Sequence, residues 1–451
     1  MSRSVSTMSG VSVRQTRYRW CVLALIFVIY TVASADRANI GIALPYIQKE
    51  FGLSNTQVGT IISLFGLAYG LFQIPAAFLN KVWGVRLVLP FFMVMTSLAT
   101  ATMGMVGSVV ALQVTRFALG VAEAPLANSL MTTVNNWFPA REKGQAAGIF
   151  ISSAKFGPVI VPPLGALVIL HFGWEYVFFV CAVPGVLLAL VWWVLVPNDP
   201  GESRFCSPQE VDYIHERAGA QAQADTAKGP VASSGLGWLD RVIRAQVMQP
   251  IDSVPEFLRS WTAWGVTLGY FFTQGTISVI LAWLPTYLTK VKQFSILNVG
   301  FVAAAPFVGA VLGNILGGWL SDRVFQKRRK PTMMLSTIST VVMMYALVHA
   351  PNDPVALSAL LFLTGLLLSF GFSAFGIYPS AMTTKKAFPV AAALINTGGQ
   401  IGAAVLPLAV GIILDRADWN AVFLFLSSCS LAAFVLLLTI VEPLAPSPAD
   451  T

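Results

Sequence analysis

The chain has 451 residues, is 56% hydrophobic and only 11% charged, and carries a formal charge of +8. Long apolar runs separated by short polar breaks recur from end to end, which is the composition of a polytopic membrane protein and not of a soluble enzyme. The basic excess sits in the breaks between runs, so it reports topology and excludes a nucleic-acid-binding reading.

A polar, basic tail over 1–19 precedes the first apolar run, which continues too far for a cleaved signal-peptide core and is read as a retained span. Spans of roughly the 20 residues that a membrane helix needs are predicted at 20–46, 56–79, 87–106, 109–134, 144–170 and 174–196. A long polar segment over 197–259 follows. Within it Ser207-Pro208-Gln209-Glu210 places an N-cap before a first-turn proline, so a short amphipathic helix is expected to about Arg217, then a flexible linker over 218–237. A second set of spans follows at 260–287, 296–320, 332–350, 355–380, 391–414 and 419–441, with a tail over 442–451. The fold class is therefore all-α, with twelve transmembrane helices divided six and six.

The amino-terminal tail (Arg3, Arg14, Arg17, Arg19), the central segment and alternate loops (Lys81/Arg86, Arg141/Lys143, Arg323 to Lys330, Lys385/Lys386) hold most of the bases. By the positive-inside rule both termini and the central segment are cytoplasmic. Cys21, Cys181, Cys206 and Cys429 show no CxxC spacing and are read as packing residues, with no metal site. No Asn-x-Ser/Thr sequon occurs, which fits a bacterial inner-membrane protein.

Of twenty acidic residues only Asp36 and Glu123 lie deep in predicted spans. An ionised side chain at the bilayer centre costs about 2.5 kcal/mol or much more, so these two mark a pathway or a relay, the bland alternative being a structural ion pair. The available cations are Arg37, Arg116 and Lys155, since His171, His215 and His349 fall in loops or at span ends. Asp36 and Arg37 are adjacent and project about 100° apart on a helix, so each serves a different surface. Arg37 suits the cavity, where its forked donors fit a carboxylate, and Asp36, turned toward the helix packing, is placed to exchange a proton. Arg116 and Glu123 are seven residues apart, about two turns, so they share a face without direct contact.

The halves carry related loops: Gly318-Trp319-Leu320-Ser321-Asp322-Arg323 in the second, and Phe78 to Arg86, with Asn80-Lys81, in the first. These resemble the GxxxDRxGxR signature of the major facilitator superfamily, and Arg116-Phe117-Ala118-Leu119-Gly120 is similar to its RxxxG element. The resemblance implies two pseudo-symmetric six-helix bundles over 20–196 and 260–441 around a cavity that opens alternately to either side. Asn80-Lys81 replaces the usual Asp-Arg, which weakens the expected gating lock of Asn80, Lys81 and Arg86 relative to that of Asp322 and Arg323.

"DRANIGIA" from Asp36 and "RFALGVAEAP" from Arg116 closely resemble the anion:cation symporter family, carriers of sugar acids, aromatic acids and vesicular anions. That resemblance implies proton-coupled symport of an organic carboxylate. It assigns Asp36 and Glu123 as protonation sites, Arg116 as modulator of Glu123, Arg37 to the substrate carboxylate and Tyr69 as a cavity hydrogen-bonding residue. The energy source is then the proton gradient, with no cofactor. Partners are a small organic acid, protons and the lipid bilayer, and the chain is expected to act as a monomer.

Lys155 departs from the neutral group usual in sugar-acid members. A second cavity cation favours a substrate with two anionic groups, or fixes the carboxylate of an aromatic acid. It lies roughly 16 Å along the helix from the span's start, too deep for easy snorkelling. In the second half the candidates are Gln274, Phe375, Tyr378, Asn396, Thr397 and Gln400, each of which could equally be a helix-packing group. The nearest rival is an organic-anion or drug antiporter, for which Gly157-Pro158 and Pro162-Pro163-Leu164-Gly165 form only a broken motif. An embedded enzyme or sensor lacks a ligand cluster, a nucleophile with its base, or a GxxxxGK[ST] loop.

Overall fold

A computed structural model describes residues 16–221, 237–384 and 386–444. The expected tails over 1–15 and 445–451, the linker over 222–236 and Lys385 lie outside the described residues. The first half contains α1 (Tyr18–Glu50), α2 (Asn55–Trp83), α3 (Val85–Met103), α4 (Val109–Trp137), α5 (Ala140–Ser153), α6 (Phe156–Phe172) and α7 (Glu175–Leu195). The central segment forms α8 (Pro208–Gln221), α9 (Gly237–Val242), β1 (Ala245–Val247) and α10 (Val254–Arg259). The second half contains α11 (Trp261–Lys290), α12 (Ile296–Trp319), α13 (Lys330–Val348), α14 (Pro354–Ser369), α15 (Phe372–Met382), α16 (Phe388–Leu414) and α17 (Trp419–Thr439), followed by β2 (Glu442–Leu444).

Eleven helical stretches among the described residues are long and apolar enough to cross a membrane. The exception at a predicted span is α2, which packs along α4 and α16. Outward faces are apolar, as a lipid-facing surface requires: on α7 Leu190, Trp193 and Val194 are exposed while Ala189 and Trp192 are buried.

Local chemistry accounts for the helix starts. Ser54 accepts from the Gln57 amide while Gln57 reaches back to Ser54, a capping box at the head of α2. The Ser108, Ser295, Asp353 and Asp418 side chains each accept from an amide in the first turn of a later helix. Close helix contact is set by small residues: Gly309, Gly313 and Gly317 form a stripe on α12 that lies on the backbone of α14 at Phe362, Leu366 and Phe370.

Two predicted spans are broken, which corrects the continuous helices expected at 144–170 and 355–380. The first break falls at Ala154-Lys155, where Pro158 lacks an amide and its ring clashes with the carbonyl four residues back. The second falls at Phe370-Gly371, where glycine weakens the helix.

The halves meet through α2 on α16, α6 on α12 and α1 on α11. At the end remote from the chain termini they are sealed: Lys290 donates to Gln48 at 2.7 Å, and the Asn55 and Thr56 amides both donate to Asp415 at 2.9 Å. Among the described residues, the hydrogen bonds joining the halves lie there or at mid-depth, so the cleft opens toward the end that carries the termini.

The central segment is anchored to each half. The amphipathic helix expected to about Arg217 runs to Gln221, and its buried Glu210 accepts from the Tyr18 amide at 2.9 Å, the Arg19 guanidinium at 2.8 Å and the Thr16 hydroxyl at 2.6 Å. Further on, Arg328 pairs with Asp240, the Lys330 ammonium donates to the Ile243 carbonyl at 2.7 Å, and β1 runs parallel to β2. Burial pushes the Glu210 carboxyl up, but the donors from Thr16, Tyr18 and Arg19 outweigh it and hold it below its ordinary value. A depressed carboxyl stabilises docking at neutral pH and loses that contribution as pH falls through the depressed value. Glu210→Ala leaves Arg19 and two helix-head amides short of an acceptor, so hydrogen exchange at Tyr18, Arg19 and along α8 is expected to speed at least ~10-fold, equivalent to about 1.4 kcal/mol. Unchanged exchange there would mean that other contacts hold α8.

Candidate functional site

Between the halves lies a cavity of about 270 Å³ lined by side chains from both. On α1, Tyr30, Ser34 and Arg37 stand at i, i+4 and i+7, so one helix face carries all three into the wall. Arg37 Nε donates to Glu123 Oε1 of α4 at 2.5 Å, with the Arg37 side chain 23% exposed and that of Glu123 fully buried. The guanidinium carbon lies 5.0 Å from the Tyr69 ring centroid and 5.6 Å from that of Tyr30. Two aromatic faces thus fix the fork where the cavity reaches it. Arg37 Nη2 and Glu123 Oε2 are buried with no hydrogen-bond partner among the described residues.

Asp36 is buried and absent from the cavity lining, with a long contact of 3.5 Å from Asn39 Nδ2. Arg116 reaches the wall, buried, with its guanidinium carbon 5.1 Å from the Phe65 ring. Its Nε and Nη1 make no hydrogen bond among the described residues, in keeping with the lack of direct contact expected from the seven-residue spacing to Glu123, and the cation paired with Glu123 is Arg37. Lys155 occupies the break between α5 and α6, is 9% exposed, and lines the same cavity. Its ammonium sits 4.0 Å from the ring centroid of Phe372, the first residue of α15, just after the break in the other half.

Gln274, Asn396 and Gln400 line the second-half wall, and Asn396 Nδ2 donates to Gln73 Oε1 across the cleft at 3.0 Å. Phe375, Tyr378 and Thr397 do not line it, which corrects their expected placement. Phe375 is fully buried behind Tyr270, ring centroids 5.2 Å apart, and the buried Tyr378 hydroxyl donates to the Val441 carbonyl beside the carboxy-terminal strand. Thr397 is partly buried on α16 outside the cavity wall. In their place the wall holds Phe372, Tyr270 and Ser278, and Gln73 from α2, none of them singled out from sequence. The helical spacing of Tyr30 and Ser34 to Arg37 is the signal that could have found them, whereas Phe372 has none, because the span at 355–380 reads as continuous.

The loop residues lie at the ends of α2 and α12. Asn80 Oδ1 accepts from Ser129 at 2.8 Å, while Lys81 and Arg86 are exposed and the Arg86 amide donates to Asn198 at 2.9 Å. Asp322 pairs with Arg329 at 2.7 Å, and Arg323 is exposed. The first junction is thus held by neutral hydrogen bonds and the second by an ion pair. All four cysteines are free. Among the described residues no group of three or more His, Cys, Asp or Glu side chains converges as metal ligands would.

The arrangement presents cations to the cavity and keeps the two deep acids behind its wall, a chemistry for holding an anion. The family model described as Major Facilitator Superfamily matches residues 26–325 and 266–451. The chain is 30% identical over 440 residues, 94% of each chain, to the protein of Escherichia coli (strain K12) named "Probable galactarate/D-glucarate transporter GarP". It is 28% identical to the D-galactonate transporter of Escherichia coli O6:H1, covering 92% of this chain and 94% of that one. Its fold is similar to that of a bacterial homologue of the human lysosomal transporter Spinster, in an inward-facing and occupied conformation, with a TM-score of 0.69 at 17% identity over 94% of this chain and 96% of that one.

Proposed function

We propose, from the premise that this chain belongs to the major facilitator superfamily, that it is a proton-coupled symporter importing an organic carboxylate by alternating access. In this reading α2 also spans the membrane and brings the total to twelve, the bundles occupy 20–196 and 260–441, and both termini face the cytoplasm across a bacterial inner membrane. The positive charge of the loops at the termini-bearing end supports that orientation. The named sugar-acid relatives support a carboxylate as the transported group.

The observation that carries the reading is the Arg37–Glu123 pair at the cavity wall. An incoming carboxylate and the Glu123 carboxylate compete for one guanidinium. When substrate takes Arg37, Glu123 is left buried with a charge and no partner, and it binds a proton; when Glu123 is protonated, Arg37 is released to the substrate. Proton and anion therefore assist each other's binding, and by linkage the assistance is mutual. Asp36, buried beside Arg37 and absent from the cavity lining, is the second proton-exchanging group. The cleft, open toward the termini-bearing end and sealed at the other by Gln48–Lys290 and Asp415 with Asn55 and Thr56, supports one of the two end states such a cycle needs.

The test is substrate-triggered proton movement in proteoliposomes carrying a pH dye, across sugar acids, phthalate-like and hydroxybenzoate-like acids and small dicarboxylates. Alkalinisation outside on adding one class is the expected result. Uptake that needs a counter-substrate inside and moves no net proton would replace symport by antiport.

A further inference from the structure

Lys155 is more than nine-tenths buried, faces the cavity and has neither an ion pair nor a hydrogen-bond acceptor among the described residues. A buried ammonium is ordinarily neutralised by a carboxylate or solvated by carbonyls, because its charge is costly in low dielectric. Here its neighbour is the face of Phe372, which attracts a cation through the ring quadrupole yet leaves its net charge intact. The two residues come from opposite halves, each at the break in its own span. The contact therefore holds the ammonium at the junction of two interrupted helices with its charge available to a ligand.

The charges around the cavity can be counted. Arg37, Arg116 and Lys155 line it, and among the described residues the second half contributes no charged group to the lining. With Asp36 and Glu123 behind the wall, the set carries one positive charge when both acids are ionised and two when one of them holds a proton. A monoanion leaves the protonated set positive. A dianion brings it to neutrality, the condition under which the halves can close over the ligand at the smallest desolvation cost. Arg116 is a weaker candidate for the second contact because it shares its surroundings with both acids, whereas Lys155 has an aromatic ring beside it.

We propose that Arg37 and Lys155 form the two ends of a site for organic acids bearing two anionic groups, with Phe372 as a positioning residue that fixes Lys155 without cancelling its charge. The proposal rests on the symport reading only for the sign of the ligand. Its test is equilibrium binding, so failure of proton coupling and failure of the two-point site give different results.

The experiment measures dissociation constants of the purified full chain in nanodiscs for matched probes differing by one carboxylate: phthalate with benzoate, adipate with hexanoate, and a six-carbon aldarate with its aldonate. Wild type is expected to favour the dianion at least tenfold in one or more pairs. Lys155→Gln should collapse that preference to within threefold, Lys155→Arg should keep it, and Phe372→Leu should lower it at least threefold. The ratio between paired ligands is the readout because a general loss of fold weakens both members alike. Equal affinity within every wild-type pair overturns the proposal, as does a preference that survives in Lys155→Gln. Should Lys155→Gln fail to fold, Phe372→Leu decides, and an unchanged preference in that variant overturns it. Discrimination in wild type that Lys155→Gln abolishes, with no proton movement in vesicles, would retain the two-point site and discard the symport reading.

Discussion

Arg37→Ala is expected to lower uptake of the transported acid about a hundredfold, on the order of 3 kcal/mol, with the loss falling on binding. Two effects combine. The ligand loses the forked donor that Tyr30 and Tyr69 hold at the cavity wall. Glu123, whose side chain is fully buried, also loses the partner that donates to it at 2.5 Å and becomes an unpaired buried acid. Arg37→Lys retains the charge without the fork and should recover part of the loss, since a point charge does not replace paired donors. Uptake and calorimetric binding of the same acid check this in parallel. Binding by Arg37→Ala within threefold of wild type would move the anion site to Arg116 or Lys155.

The second large effect separates binding from energy coupling. Glu123→Gln keeps an oxygen that accepts from Arg37 Nε but removes the carboxyl that the proposed symport protonates. It is expected to sustain exchange of labelled acid across a vesicle membrane while the gradient-driven accumulation ratio falls to about 1, the value at which no free energy is coupled. Asp36→Asn provides the comparison, because Asp36 lies outside the cavity wall and its loss leaves the Arg37–Glu123 pair in place. Accumulation lost in Asp36→Asn and kept in Glu123→Gln would place coupling on α1 alone. Loss in both would make the two acids successive stations for one proton, or separate sites for two.

Much of this was legible in the chain. The apolar runs foretold the order of the long helices, eleven of which among the described stretches are apolar enough to cross a membrane, because polar backbone is costly in lipid. Asp36, Arg37, Arg116, Glu123 and Lys155 stood out because charge is rare at that depth. The partner of Glu123 was not legible. Spacing within α4 bears on Arg116, but the choice of Arg37 depends on how α1 and α4 are rotated against each other across 86 residues of sequence. Phe372 and Phe375 show the same limit. Both follow the break at Gly371, and the break sets which of them meets the cavity and which packs behind Tyr270. Tyr378 was misplaced because its hydroxyl is taken by Val441, a contact from chain beyond the last span that no helical periodicity encodes.

Among the described residues every charge lining the cavity belongs to the first half, while the opposing wall consists of rings, amides, a hydroxyl and small or aliphatic side chains. Charge is thereby contributed by one half, whereas the outline of the cavity is drawn by both. A hybrid joining this first half to the second half of a relative would keep the lining cations of one parent and take one wall of the cavity from the other. Substitution among the second half's lining residues can alter the shape of the cavity without touching the Arg37–Glu123 pair in the first.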